Sequence, residues 1–135
     1  MMAVVDTTVW SLMLRRRTGP GSLEARELED LIRGGRASII GPVRQELLSG
    51  IKGATQFERL RQHLRAFPDL ELETDDFELA ADFSNRCRAR GVQGSNTDFL
   101  ICAVATRRQH SIFTTDQEFA AFAKVIPVQL HALQS

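Results

Sequence analysis

Ala3-Val4-Val5-Asp6-Thr7-Thr8-Val9-Trp10 is the stretch from which the fold can be read. The apolar, β-branched run Ala3–Val5 reads as a buried strand, Thr7–Arg17 as a helix, and Asp6 as the residue at their junction. The same order returns along the chain: Ser38–Ile40 before Val43–Lys52, Leu70–Leu72 before Phe77–Arg90, and Ile112–Phe113 before Gln117–Lys124, with Ile126–Val128 closing the series. Strand and helix alternate, which predicts an α/β sandwich on a mainly parallel sheet.

Helix signals support this segmentation. Ser22 caps a helix from Leu23 that Gly34-Gly35 ends, and Phe57, Leu60, His63, Leu64 and Phe67 make a helical face stopped by Pro68. Ser95-x-x-Asp98 opens the most apolar helix, Phe99-Leu100-Ile101-Cys102-Ala103-Val104-Ala105, whose unbroken run implies burial on several sides. There is no internal repeat, low-complexity tract or linker.

At 135 residues, 43% of them hydrophobic, the chain suits one domain spanning 1–135 with one core. No run reaches the roughly 18 apolar residues of a membrane span, and the N-terminus lacks the order of a signal peptide, so a cytoplasmic protein without membrane contact is expected. Cys87 and Cys102 lack CxxC spacing and read as reduced, buried thiols. Formal net charge is zero, which removes the broadest sign of a nucleic-acid binder. The charge is unevenly spread: residues 1–67 hold 11 basic and 7 acidic side chains, residues 68–135 hold 6 and 10.

Most acidic residues lie on amphipathic helices or in the run Asp69–Glu78, where a solvated face is the default. Four stand apart. Asp6 and Asp116 follow strands at the carboxyl end, the edge of an open parallel sheet where ligands bind. Glu46 lies one turn into the helix after Ser38–Ile40, just past Pro42, and projects toward that edge. Asp98 begins the apolar helix, where an ionised carboxylate needs something to offset its desolvation. Each also has a local reading. Asp6 suits an N-cap, Asp98 a capping box with Ser95, Glu46 an exposed helical position, and Thr115 with Glu118 a second box that leaves Asp116 to the helix dipole.

Joint placement at one edge favours chemistry. Two like charges about 4 Å apart repel by roughly 4 kcal/mol at an effective dielectric near 20, so converging carboxylates call for a cation. An oxygen-only set suits Mg²⁺, with Mn²⁺ as a substitute, whereas zinc would want imidazole or thiolate at a spacing absent here. Metal held this way can lower the pKa of a water and set it against a phosphodiester. His63, His110 and His131 are scattered and read as core or surface residues.

At these residues the chain resembles the PIN-domain family and, more narrowly, VapC toxins of VapBC toxin–antitoxin systems. The resemblance is carried in order by Val4-Val5-Asp6-Thr7-Thr8-Val9-Trp10, by Ile40-Gly41-Pro42-Val43-Arg44-Gln45-Glu46-Leu47-Leu48-Ser49-Gly50, by Asn96-Thr97-Asp98-Phe99-Leu100-Ile101-Cys102-Ala103-Val104-Ala105, and by Thr114-Thr115-Asp116-x-x-Phe119. It implies a PIN-like three-layer sandwich with a central sheet of about five strands flanked by helices. It also implies a Mg²⁺-dependent endoribonuclease that forms homodimers and is inhibited by a cognate VapB-like antitoxin. Asp6, Glu46, Asp98 and Asp116 would then be the catalytic set and Asp6, Asp98 and Asp116 the metal ligands, with Thr7 or Thr115 in support. Two departures stand out: Asp116 and Glu118 compete for the fourth acidic position, and Thr8 replaces the serine or asparagine common two places after the first aspartate.

RNA approaching such a pocket would meet basic side chains on its rim, for which Arg15-Arg16-Arg17, Arg86, Arg88, Arg90 and Arg107-Arg108 are candidates. Trp10, Leu12, Met13, Leu14, Phe57, Leu60 and Leu64 are core or, where exposed, a partner surface. The alternative to catalysis is a non-catalytic PIN-like module that binds RNA or protein, its carboxylates acting as caps. A phosphoacceptor receiver is disfavoured because Asp6 stands alone after the first strand.

Overall fold

The computed structural model describes residues 1–15 and 21–133. Its elements run β1 (Ala3–Val5), α1 (Thr7–Leu14), α2 (Leu23–Arg33), β2 (Ala37–Ser38), α3 (Gly41–Leu48), α4 (Ala54–Leu64), α5 (Thr74–Ala89), α6 (Asn96–Arg108), β3 (Ser111–Phe113) and α7 (Glu118–Phe122). The strands pair in the order β2-β1-β3, all parallel, with Ala3 opposite both Ala37 and Ser111 and Val5 opposite Phe113. β1 is therefore central, and the chain leaves it in one direction for β2 and returns on its other side for β3. The carboxyl end of β1 is a point where the strand order switches, and a crevice forms there in open α/β sheets.

The expected α/β architecture is present, with fewer full strands than five among the described residues. Leu70–Leu72 makes no strand: the parallel bridge beside it, Ile39 to Asp69, falls one residue earlier, and the Glu71 carbonyl accepts from Arg108 Nη2 instead of a strand. Ile126–Val128 makes no strand: Pro127 has no N–H to give, and the bridge to Ile112 comes from Leu130. Helix ends move for similarly local reasons. α3 starts at Gly41 because Pro42 suits a first turn, and it stops before Gly50, whose φ of 85° a helix does not admit. α5 begins at Thr74, three residues early, because Asp76 closes a capping box with Glu73.

The core is continuous. Residues Phe99–Ala105 of α6 are buried throughout, as their composition requires, and α6 packs on β1, β3 and α5. Trp10, wholly buried, donates from Nε1 to the Val5 carbonyl at 3.2 Å, tying α1 to the strand before it. Cys87 and Cys102 are free and buried. No described helix is long and apolar enough to cross a membrane.

Asp76 corrects the default given to the Asp69–Glu78 run. It has no exposed surface and accepts from Arg107 Nη1 at 2.8 Å and from Arg108 Nη1 and Nη2 at 2.8 and 3.0 Å. Burial opposes its charge, but these bonds and that from the Glu73 backbone outweigh it and hold the carboxyl well below the ordinary range. Arg107 and Arg108 are thus committed to structure, and Arg86 pairs with Asp82 at 2.9 Å. Arg16 and Arg17 lie outside the described residues.

Candidate metal centre

The strand-end carboxylates gather at the switch point. Asp6 follows β1, its N–H bonded to the Phe113 carbonyl of β3 at 2.9 Å, so pairing of the two strands sets its backbone. Its side chain caps α1 through the Thr7 N–H at 2.8 Å. The other oxygen accepts from the hydroxyls of Thr114 and Thr8 at 2.8 and 3.1 Å. Asp6 is only 4% exposed. Burial pushes its carboxyl above the ordinary value despite the three hydrogen bonds, and the Asp98 charge pushes the same way.

Asp98 stands in the first turn of α6. The Ser95 hydroxyl accepts from its N–H at 3.1 Å, and its Oδ2 accepts from the Ser95 N–H at 3.0 Å, so the capping box is real. It does not exclude the site. Burial, followed by the charges of Asp116 and Glu46, raises the Asp98 carboxyl against its bonds to Ser95. Carboxylate oxygens of Asp98, Asp116 and Glu118 all lie within 4.8 Å of one another.

Glu118 resolves differently from its sequence reading. The box with Thr115 does not form; α7 starts at Glu118, whose N–H donates to Asp116 Oδ1 at 2.9 Å. The turn that results brings both acids to Asp98, so they share the position for which they compete in sequence. Glu46, on α3, is not part of this group of three; the Thr7 hydroxyl donates to its Oε1 at 2.6 Å.

Threonine hydroxyls from the first turn of α1 and the end of β3 organise the cluster. Thr114 donates to Asp6 and accepts the Asp116 N–H at 2.9 Å, linking two acids with one oxygen. Thr8 donates to Asp6 and accepts from the Thr115 N–H at 3.2 Å. Sequence reasoning singled out Thr7 and Thr115 and passed over Thr114, although its place at the end of β3 matched that of Asp6 at the end of β1. Cys102 lies beneath: burial first, then the charges of Asp98, Cys87 and Asp6, push its thiol far above the usual range, so it offers no thiolate.

A divalent cation fits this donor set. Two unit charges 4.8 Å apart repel by about 3 kcal/mol at an effective dielectric near 20, and the three acids lack cationic side-chain partners among the described ion pairs. Hard divalent ions such as Mg²⁺ take carboxylate oxygens as ligands, which is what Asp98, Asp116 and Glu118 offer.

Comparison with known proteins agrees with this architecture. The PIN domain family model matches residues 3–125, and the chain belongs to that family. No curated protein matches significantly. Among solved structures, FitAcB from Neisseria gonorrhoeae superposes with a TM-score of 0.76 at 19% identity, covering 97% of each chain. VapBC2 from Rickettsia felis, bound to a promoter DNA fragment, gives 0.73 at 17%, covering 97% of this chain and 98% of that one. VapBC-5 from Mycobacterium tuberculosis, a toxin–antitoxin family member, gives 0.68 at 21%, covering 96% of each. These likenesses concern the fold.

Proposed function

We propose that this PIN-domain protein is a metal-dependent endoribonuclease and the toxin component of a toxin–antitoxin pair, with Asp6, Glu46, Asp98 and Asp116 as its catalytic residues and Glu118 beside them. The observation that carries the reading is the convergence of Asp98, Asp116 and Glu118 next to the buried Asp6 at the sheet's switch point. Bound Mg²⁺ or Mn²⁺ would polarise a phosphoryl oxygen and make a nearby water a better nucleophile. Asp6, Asp98 and Asp116 would hold the cation. Thr114, Thr8 and Ser95 fix the carboxylates in advance, so that binding costs little side-chain ordering. Glu46, whose Oε1 accepts from the Thr7 hydroxyl, would take a proton from the attacking water.

The partner reading is supported by the toxin–antitoxin proteins among the solved structures and by a groove of about 510 Å³ whose lining includes Met13, Leu14, Ile32, Leu60 and Phe67. Leu12 and Phe57 are exposed apolar side chains on α1 and α4, two of the elements that border this groove. We assign the groove to a VapB-like antitoxin and expect homodimers in the isolated toxin.

One observation favours the non-catalytic reading: Asp6 and Asp98 do cap their helices. The decisive experiment is incubation of the purified protein with structured RNA and Mg²⁺ or Mn²⁺. Cleavage that disappears on chelation and in Asp6→Asn and Asp98→Asn, both still folded, is the expected result. Equal cleavage by the variants refutes the assignment.

A further inference from the structure

Gly94 precedes the N-cap of α6 and sits where a side chain cannot. A Cβ built on it would stand 2.5 Å from Phe122 Cζ, 3.1 Å from Phe122 Cε1 and 3.2 Å from Phe99 Cε2. The Phe122 ring cannot yield easily: it is fully buried, with Phe99 at 4.9 Å and Phe119 at 5.1 Å between ring centroids. Gly94 itself is exposed, so the loop is the part that must move.

Both rings belong to the acid cluster by sequence. Phe99 directly follows Asp98, and Phe122 lies one helical turn beyond Glu118. Gly94 is bonded to Ser95, whose N–H and hydroxyl hold Asp98. We propose that Gly94, closing on the Phe99–Phe122 pair, is a positioning residue that sets the separation of Asp98 from Asp116 and Glu118. Its missing Cβ lets the loop before α6 lie against α7, and the aromatic contact holds mutually repelling carboxylates at ligating distance. Because an exposed loop absorbs the clash, substitution here moves the site and spares the fold.

The test is Gly94→Ala. Circular dichroism is to match the parent, while Mn²⁺ affinity by titration calorimetry falls by about 10- to 100-fold, the usual effect of disturbing a group that orients ligands. Adding Phe122→Leu, which makes room for the new methyl, is to restore most of the affinity. Affinity equal to the parent's in Gly94→Ala, or a loss that Phe122→Leu leaves untouched, overturns the proposal. The calorimetric arm rests on the metal reading of the cluster. If the parent takes up no Mn²⁺, that reading fails by itself, and crystal structures of parent and variant decide the positioning: an Asp98 carboxylate displaced from Asp116 and Glu118 supports it, and unchanged separations refute it.

Discussion

Neutralising Asp98 should make the metal-free protein more stable and the metal-treated protein less so. In Asp98→Asn the amide oxygen can still accept from the Ser95 N–H, and the residue keeps its shape. What disappears is repulsion from Asp116 and Glu118, whose oxygens lie within 4.8 Å. Each pair is worth about 3 kcal/mol at an effective dielectric near 20 but about 1 kcal/mol in water. Asp98 is only half-buried and Glu118 exposed, so a total of about 1–2 kcal/mol is the screened expectation. Loss of a negative charge from the first turn of α6 costs about 0.3–1 kcal/mol in the other direction. The net gain, about 1 kcal/mol, corresponds to a Tm rise of roughly 3–5 °C for a chain of this size. Mn²⁺ at a hundredfold excess over its Kd stabilises the parent by about 2.7 kcal/mol, an increment the variant should lack. Scanning calorimetry in EDTA and in Mn²⁺ therefore should show the two proteins changing rank. A variant less stable in EDTA, with the Mn²⁺ increment intact, would reduce Asp98 to a helix cap and refute the reasoning.

Thr114→Val keeps the side-chain shape but removes the hydroxyl that joins Asp6 to the Asp116 N–H; at about 1.5–3 kcal/mol for a hydrogen bond to a charged group, Mn²⁺ binding should weaken by roughly 10- to 150-fold, and unaltered calorimetry would exclude a linking role. The pH dependence of metal-free stability should have two opposing arms. Asp6 and Asp98 have raised pKa values in the folded state, so their unfavourable contribution is relieved as pH falls from neutrality toward those values, and chemical denaturation should show stability rising there. Asp76 is depressed, so its contribution is full above the ordinary carboxylate value near 4 and is lost as pH falls below it, reversing the trend. Replacing Asp76 by Ala should remove the acid arm and lower stability by about 3 kcal/mol at neutral pH, because two arginines lose a buried partner while Arg107 retains Glu73 and Arg108 retains the Val104 and Glu71 carbonyls; a monotonic profile in the parent would contradict this account.

What sequence alone determined is local and periodic. Apolar runs followed by helical patterns define strand–helix alternation, and residues just past a parallel strand must lie near the sheet's carboxyl edge, which puts Asp6 and Asp116 there before any coordinates are known. The apolar run of α6 and its capping box are likewise visible, since both depend on residues within a turn of one another. Tertiary structure decided everything that depends on separation through space. Asp98 meets Asp116 and Glu118 only because α6 packs on β1 and β3 and Gly94 lets its loop close on Phe122; Thr114 reaches Asp6 across 108 positions of chain. Asp76 reads as a solvated acid in an acidic run, yet it is buried because Arg107 and Arg108 arrive from the far end of another helix. Burial and charge pairing are properties of the assembled core, and no window of sequence contains them.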